Sequence, residues 1–279
     1  MLAGFTGILG VLIQLNELPL VWYRILITLI SLFVLLLITR KSIHLPWKSI
    51  KRLMLIGAVI ALHWVCFYGS IKLSNVSIAL VCFSSTGLFT ALLEPLMITK
   101  KIKWVEVFLG MFSIAGISLI FHFDQRYQVG IIVGVVAAIL AALFTVMNKK
   151  HLALADPQVM MLYELMGGLG VLTLLIPLYL MAFPHIRLIP SAADWGWLLI
   201  LSWFCTIVAM RLMLESLRKV SAFTQNLSLN LEPVYAIVMA FIFFDEGKQL
   251  QTSFYYGVTL ILLSVIIQMF RLLTAKTQR

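Results

Sequence analysis

The stretch LNLEPVYAIVMAFIF (residues 229–243) sets a carboxylate and a proline, Glu232 and Pro233, inside an otherwise apolar run. A second such pair, Glu94-Pro95, lies in ALLEPLMI (residues 91–98). Apolar runs recur along the whole chain, which is 62% hydrophobic and 11% charged with a mean hydropathy of +1.05. A soluble domain carries roughly a quarter charged residues, so these 279 residues cannot cover a water-facing surface. The chain reads as an integral membrane protein.

A bilayer core takes about 20 apolar residues per helix. On that ruler the runs are 1–15, 19–39, 53–71, 76–99, 104–122, 129–147, 157–183, 195–217, 220–244 and 253–270, ten candidate spans joined by short loops. None shows the short alternating segments of a barrel, so the fold class expected is an all-α integral membrane protein. The first run gives only about 14 apolar residues, or about 21 Å of helix. It has no basic residue before it and no cleavage signature, and is expected to be a first helix lacking its opening residues.

The net charge of +10 does not point to nucleic acid, because the basic residues fall in clusters between the apolar runs. Fifteen of the 21 Lys and Arg lie on one side of the alternating loops, at 40–52, 100–103, 149–150, 218–219 and in the tail after 270. Four (Lys72, Arg126, Arg187, Lys248) lie on the other, and Arg24 and Arg211 are within spans. By the positive-inside rule both termini are cytoplasmic. The cysteines Cys66, Cys82 and Cys205 sit inside apolar runs without metal or disulfide spacing.

The chain also repeats itself. LAGFTGILGVLIQLNELP (2–19) lies beside LAALFTVMNKKHLALADP (140–157) at an offset of 138. SIKLSNVS (70–77) resembles SLRKVS (216–221) at 146 shrinking to 144, and VFLGMFSIAGISLI (107–120) resembles SFYYGVTLILLSVII (253–267) at about 147. Two five-helix repeats follow, 1–122 and 128–272. Five is odd, so the second repeat is inverted, an arrangement of secondary transporters with the solute site near the midplane. At the local offset of 144 Glu232 corresponds to Leu88, so the two Glu-Pro pairs are not equivalent positions.

ELPLVWYRILI (17–27), SIKLSNVSIAL (70–80), LRKVSAFTQNLSLNLEPVYAIVMAFIFFDEGKQL (217–250) and YYGVTLILLSVI (255–266), in this order, resemble the drug/metabolite transporter superfamily in its ten-helix EamA-type branch. The likeness covers nearly the whole chain. It departs where the second repeat has Asp245-Glu246 and the first has Lys100-Lys101. The resemblance implies a permease of the cell membrane, the inner membrane in a bacterium, that exports or exchanges small amino-acid-like or drug-like solutes by alternating access. Partners expected are the small-molecule substrate and the lipid bilayer, with proton coupling and a homodimer as further options, and no nucleic acid.

Charge at the bilayer centre costs about 2.5–3.5 kcal/mol on insertion scales and marks function by default. Glu232 fits that description, either as a coupling group or as a fixture of the Pro233 bend. Asn226 and Asn230 share its polar face at helical spacing. In the third span His63, Trp64 and Tyr68 make a second candidate face, with a neutral hydrogen-bonded histidine as its plainer reading. Ser85 in the fourth span offers a hydroxyl or simply close packing. Arg24 either attracts an anion or snorkels outward. Arg211, Glu215, Glu164 and Glu94 are expected to form a structural ion-paired cluster at the cytoplasmic mouth. Zinc-protease spacing and Gly-rich phosphate loops are lacking, and no metal, cofactor or catalytic residue is expected. A membrane-embedded enzyme and a channel-like helical protein are the alternatives to a carrier.

Overall fold

In the computed structural model the described residues are 4–98, 101–123, 125–229 and 252–277, and every regular element among them is helical. In chain order these are α1 (Gly4–Leu12), α2 (Glu17–Ile38), α3 (Trp47–Leu73), α4 (Val76–Phe83), α5 (Thr86–Ile98), α6 (Trp104–Phe123), α7 (Gln128–His151), α8 (Pro157–Ala182), α9 (Ala192–Ser202), α10 (Ala209–Leu217), α11 (Ala222–Leu229) and α12 (Thr252–Thr277). Six stretches among the described residues are long and apolar enough to cross a membrane: Glu17–Ile38, Trp47–Leu73, Val76–Ile98, Gln125–His151, Pro157–Ala182 and Ala192–Leu217.

Short polar signals set the helix ends. Asp156 caps α8, its Oδ1 accepting from the Gln158 N–H at 3.0 Å, and Pro157 occupies the first turn, where a missing N–H loses nothing. Ser191 and Asp194 form a capping box on α9. The other Asp194 oxygen accepts from the Gln14 N–H at 2.9 Å, which fastens the chain after α1 to α9. Asn75 caps α4 by accepting from the Ile78 N–H at 2.9 Å.

Two spans are interrupted. Between α4 and α5 the hydroxyls of Ser84, Ser85 and Thr86 donate back to the carbonyls of Val81, Cys82 and Phe83 at 2.6, 2.6 and 2.5 Å. Such back-bonding competes with the helix ladder and bends it. Between α9 and α10 the chain makes one wide π turn, Trp203–Val208, with hydrogen bonds one residue longer than in an α-helix.

Helix α3 runs through the middle and packs on both α7 and α8, while α6 and α12 pack on each other. The α3–α8 crossing is backbone to backbone. A Cβ on Gly57 would fall 1.6 Å from the Glu164 carbonyl oxygen, and one on Gly167 would fall 2.2 Å from that of Met54. Small residues permit such an approach in membranes. Outward faces carry large apolar side chains, among them Leu37 and Ile38 on α2 and Leu174 and Met181 on α8, as expected of helices surrounded by lipid.

Candidate functional site

A cavity of about 140 Å³ opens among α1, α2, α3 and α4 on one side and α7, the π turn, α10 and α11 on the other. Helix α3 presents Ile60, His63, Trp64 and Phe67 to it, a spacing that puts them on one helical face. Arg24 comes from α2, Leu80 and Phe83 from α4, Phe144 and Thr145 from α7, Met210 and Met213 from α10, and Asn226 from α11.

Arg24 does not snorkel. It is 2% exposed, with its guanidinium carbon 3.9 Å from the centre of the Trp64 ring. Its Nε donates to Thr206 Oγ1 at 2.8 Å, Nη1 to Tyr68 Oη at 3.2 Å and Nη2 to the Cys205 carbonyl at 3.2 Å. The π turn supplies two of these acceptors, which is why the side chain turns inward rather than toward the membrane surface. The backbone is held as well: the Thr28 and Ser202 hydroxyls donate to the Arg24 carbonyl at 2.7 and 3.1 Å. All three partners of the guanidinium are neutral, and they occupy three of its five N–H donors.

His63 Nδ1 lies 2.8 Å from the Ala137 carbonyl. A carbonyl only accepts, so Nδ1 carries a hydrogen. The ring is stacked with Phe67 at 6.1 Å and tilted against Phe83 at 5.7 Å. Asn226 ties three helices together. Its Nδ2 donates to Thr90 Oγ1 at 2.7 Å on α5, and its Oδ1 accepts from Thr145 Oγ1 at 3.0 Å on α7.

The structure thus brings Arg24, His63, Trp64 and Asn226 to one cavity. Tyr68 stands behind Arg24, fully buried, as its hydrogen-bond partner. Ser85 is not on the cavity wall, because its hydroxyl is committed to the Cys82 carbonyl. Glu232 and Asn230 lie outside the described residues.

Of the expected cluster of Arg211, Glu215, Glu164 and Glu94, the Arg211–Glu215 pair forms, while Glu164 and Glu94 are not joined to it. Arg211 and Glu215 pair at 2.9 Å as a half-exposed i, i+4 bridge on α10, a type worth little. Glu94 Oε2 accepts from the Phe223 N–H at 2.9 Å, in the first turn of α11 where helix N–H groups lack partners. Glu164 is fully buried, and neither of its oxygens has a hydrogen-bond partner. Facing helices place these carboxylates in different surroundings, which equal distance from the cytoplasm does not reveal.

Sequence reasoning missed Thr206, Thr145 and Thr90. Thr206 lies in WFCTIV (203–208), where no Gly or Pro announces the π turn. A lone threonine among apolar residues is the only signal present. Among the described residues no group of three His, Cys, Asp or Glu is placed to hold a metal.

The sequence pattern of the EamA-like transporter family matches residues 1–122 and again 128–270. An uncharacterized transporter of Synechocystis is 22% identical over 225 residues, covering 76% of this chain and 63% of that one. An uncharacterized transporter of Clostridium kluyveri is 24% identical over 239 residues, covering 81% of this chain and 74% of that one. The uncharacterized transporter YxxF of Bacillus subtilis is 26% identical over 204 residues, covering 70% and 63%. The chain therefore spans 63% of the length of two of these relatives. A solved crystal structure shares the fold, with a TM-score of 0.68 at 13% identity over 95% of this chain and 92% of the other.

Proposed function

This chain belongs to the EamA-like transporter family and is a multi-pass membrane protein, and we propose that it is a secondary active transporter moving a small amino-acid-like or drug-like metabolite by alternating access. The proposal comprises ten spans in two inverted five-helix repeats, 1–122 and 128–272, with both termini cytoplasmic. The setting is a bacterial inner membrane, the direction export, and the driving force protons or exchange. A homodimer is compatible with this arrangement. Coupling is assigned to Glu232 on sequence grounds.

The observation that carries the proposal is the position of the cavity, whose wall comes about equally from the two family-matched segments. A carrier that alternates needs its site where two rocking halves meet. The packing adds support. The third helix of the first segment, α3, lies on α7 and α8, the first two of the second. The third stretch of the second segment, α9 with the π turn, lies in turn on α1 and α2. These two sets of contacts are reciprocal, as a two-fold axis between the segments would make them.

Reconstitution into liposomes tests the reading. Uptake of labelled amino acids and small aromatic acids is expected to saturate, and to accelerate when unlabelled solute is preloaded inside. Flux that stays linear with concentration and ignores preloading identifies a channel and overturns the carrier.

A further inference from the structure

We propose that the cavity takes a small organic acid, a carboxylate on an aromatic or branched apolar body, with Arg24 as its anion-binding residue. The inference rests on the transporter reading only for what happens after binding. Arg24 is a cation held within the membrane-spanning bundle, lines the cavity, and has only neutral partners. A buried charge without a counter-ion is costly, and an incoming carboxylate supplies the missing charge. One N–H remains on each terminal guanidinium nitrogen, since Nη1 and Nη2 each donate once. Two N–H donors on one guanidinium are the number that the two oxygens of a carboxylate take up. Trp64 covers the guanidinium at 3.9 Å, which keeps the fork flat and fixed.

The rest of the wall selects the body of the solute. Phe67, Phe83, Phe144, Met210 and Met213 make it apolar, with the methionines able to adapt to different shapes. Its volume of about 140 Å³ is close to the ~150 Å³ of an engineered cavity that holds benzene. A single ring or a branched chain fits, and a dinucleotide or a sugar nucleotide does not.

The test is thermal unfolding of the full chain in detergent, in chloride-free buffer at constant ionic strength, with benzoate, benzamide, benzylamine and chloride as probes. Benzoate is expected to raise Tm by several degrees at saturation, and the other three by little. Equal stabilisation by benzamide, benzylamine or chloride, or none by benzoate, overturns the proposal. Arg24→Lys keeps the charge but loses the fork, and is expected to weaken benzoate at least tenfold. Benzoate affinity unchanged in Arg24→Lys overturns the assignment of that residue. Should the variant fail to fold, the four-probe comparison in the wild type still decides. Met213→Trp, which puts a larger side chain on the cavity wall, is expected to abolish the shift; a shift that persists locates the site elsewhere and overturns the proposal. Benzoate-selective binding without saturable flux of any solute would leave the anion site standing and remove the transporter. Saturable flux of neutral or cationic solutes with no preference for carboxylates would do the reverse.

Discussion

Glu164 on α8 has two buried oxygens without donors, and its neighbour Asn148 on α7 has an Oδ1 in the same position. Asn148 Nδ2 is already committed to the Phe144 carbonyl at 3.3 Å. An ionised carboxylate cannot relieve Asn148 Oδ1, whereas a protonated carboxyl or a glutamine amide can. Glu164→Gln keeps that donor at any pH and is therefore expected to match wild type or exceed it by up to about 1 kcal/mol, the gain growing in alkaline buffer, read as the unfolding temperature in detergent. Asp156 behaves oppositely. Partial burial pushes its carboxyl up, but Lys41 at 2.9 Å, the Gln158 N–H and the charge of Arg218 outweigh that and leave it below the ordinary carboxylate range. A depressed carboxyl stabilises the fold above its unfolded pKa of about 3.9, and that gain fades as pH falls through the lower folded value. The advantage of wild type over Asp156→Asn is thus expected in full at pH 6 and to shrink below about pH 4. Added salt should also reduce it. None of this was legible in the residues alone. Arg24, Glu164 and Glu94 are visible as charges in apolar runs, but which way each points depends on helix rotation, and evenly apolar spans do not fix rotation.

At the scale of elements, hydrophobic length located most of the helices and missed their interruptions. The run 76–99 reads as one span, yet it is broken by back-bonding hydroxyls at Ser84 and Ser85 while Pro95 sits inside α5. Helix α3 begins at Trp47, before its apolar run, because Pro46 at the N-cap leads directly into a turn of mixed polarity. The α3–α8 crossing was not foreseeable, since a glycine matters only once its partner is known. Gly57→Ala places a methyl on the Glu164 backbone and is expected to cost about 3 kcal/mol or more. Gly170→Ala on the same α8 meets nothing within 4 Å. It is expected to be neutral or to gain up to about 1 kcal/mol of helix propensity. Parallel unfolding curves of the two variants check this.

For the whole molecule, charge bias is the ground for the proposed orientation. Single cysteines in 40–52 and in 123–128 are expected to react oppositely with an impermeant thiol reagent on intact cells. The native Cys82 and Cys205 are buried and Cys66 is half-buried, so background labelling is low. Labelling of both loops from one side removes the inverted arrangement. Coupling is a property of the whole cycle, and Glu232→Gln examines it by removing titration while keeping shape. Proton-driven accumulation is expected to fail and solute exchange to survive. Proton-driven flux at the wild-type rate would leave Glu232 as a feature of the Pro233 bend.

The π turn at Trp203–Val208 also sets a phase. A helix advances about 100° per residue, so a turn with one residue too many rotates everything beyond it by that angle. Met210 and Met213 meet the cavity, and Arg211 and Glu215 stay outside, because the count upstream is out of step. Closing this turn to regular α geometry without losing a residue would rotate α10 by about 100° and carry Met210 and Met213 off the cavity, whereas deleting one residue from 203–208 should leave a continuous helix with α10 in its present phase. The cavity's apolar wall thus depends on the turn absorbing an arithmetical surplus, and a substitution that regularises the helix at full length should damage the wall more than a deletion that removes the surplus residue.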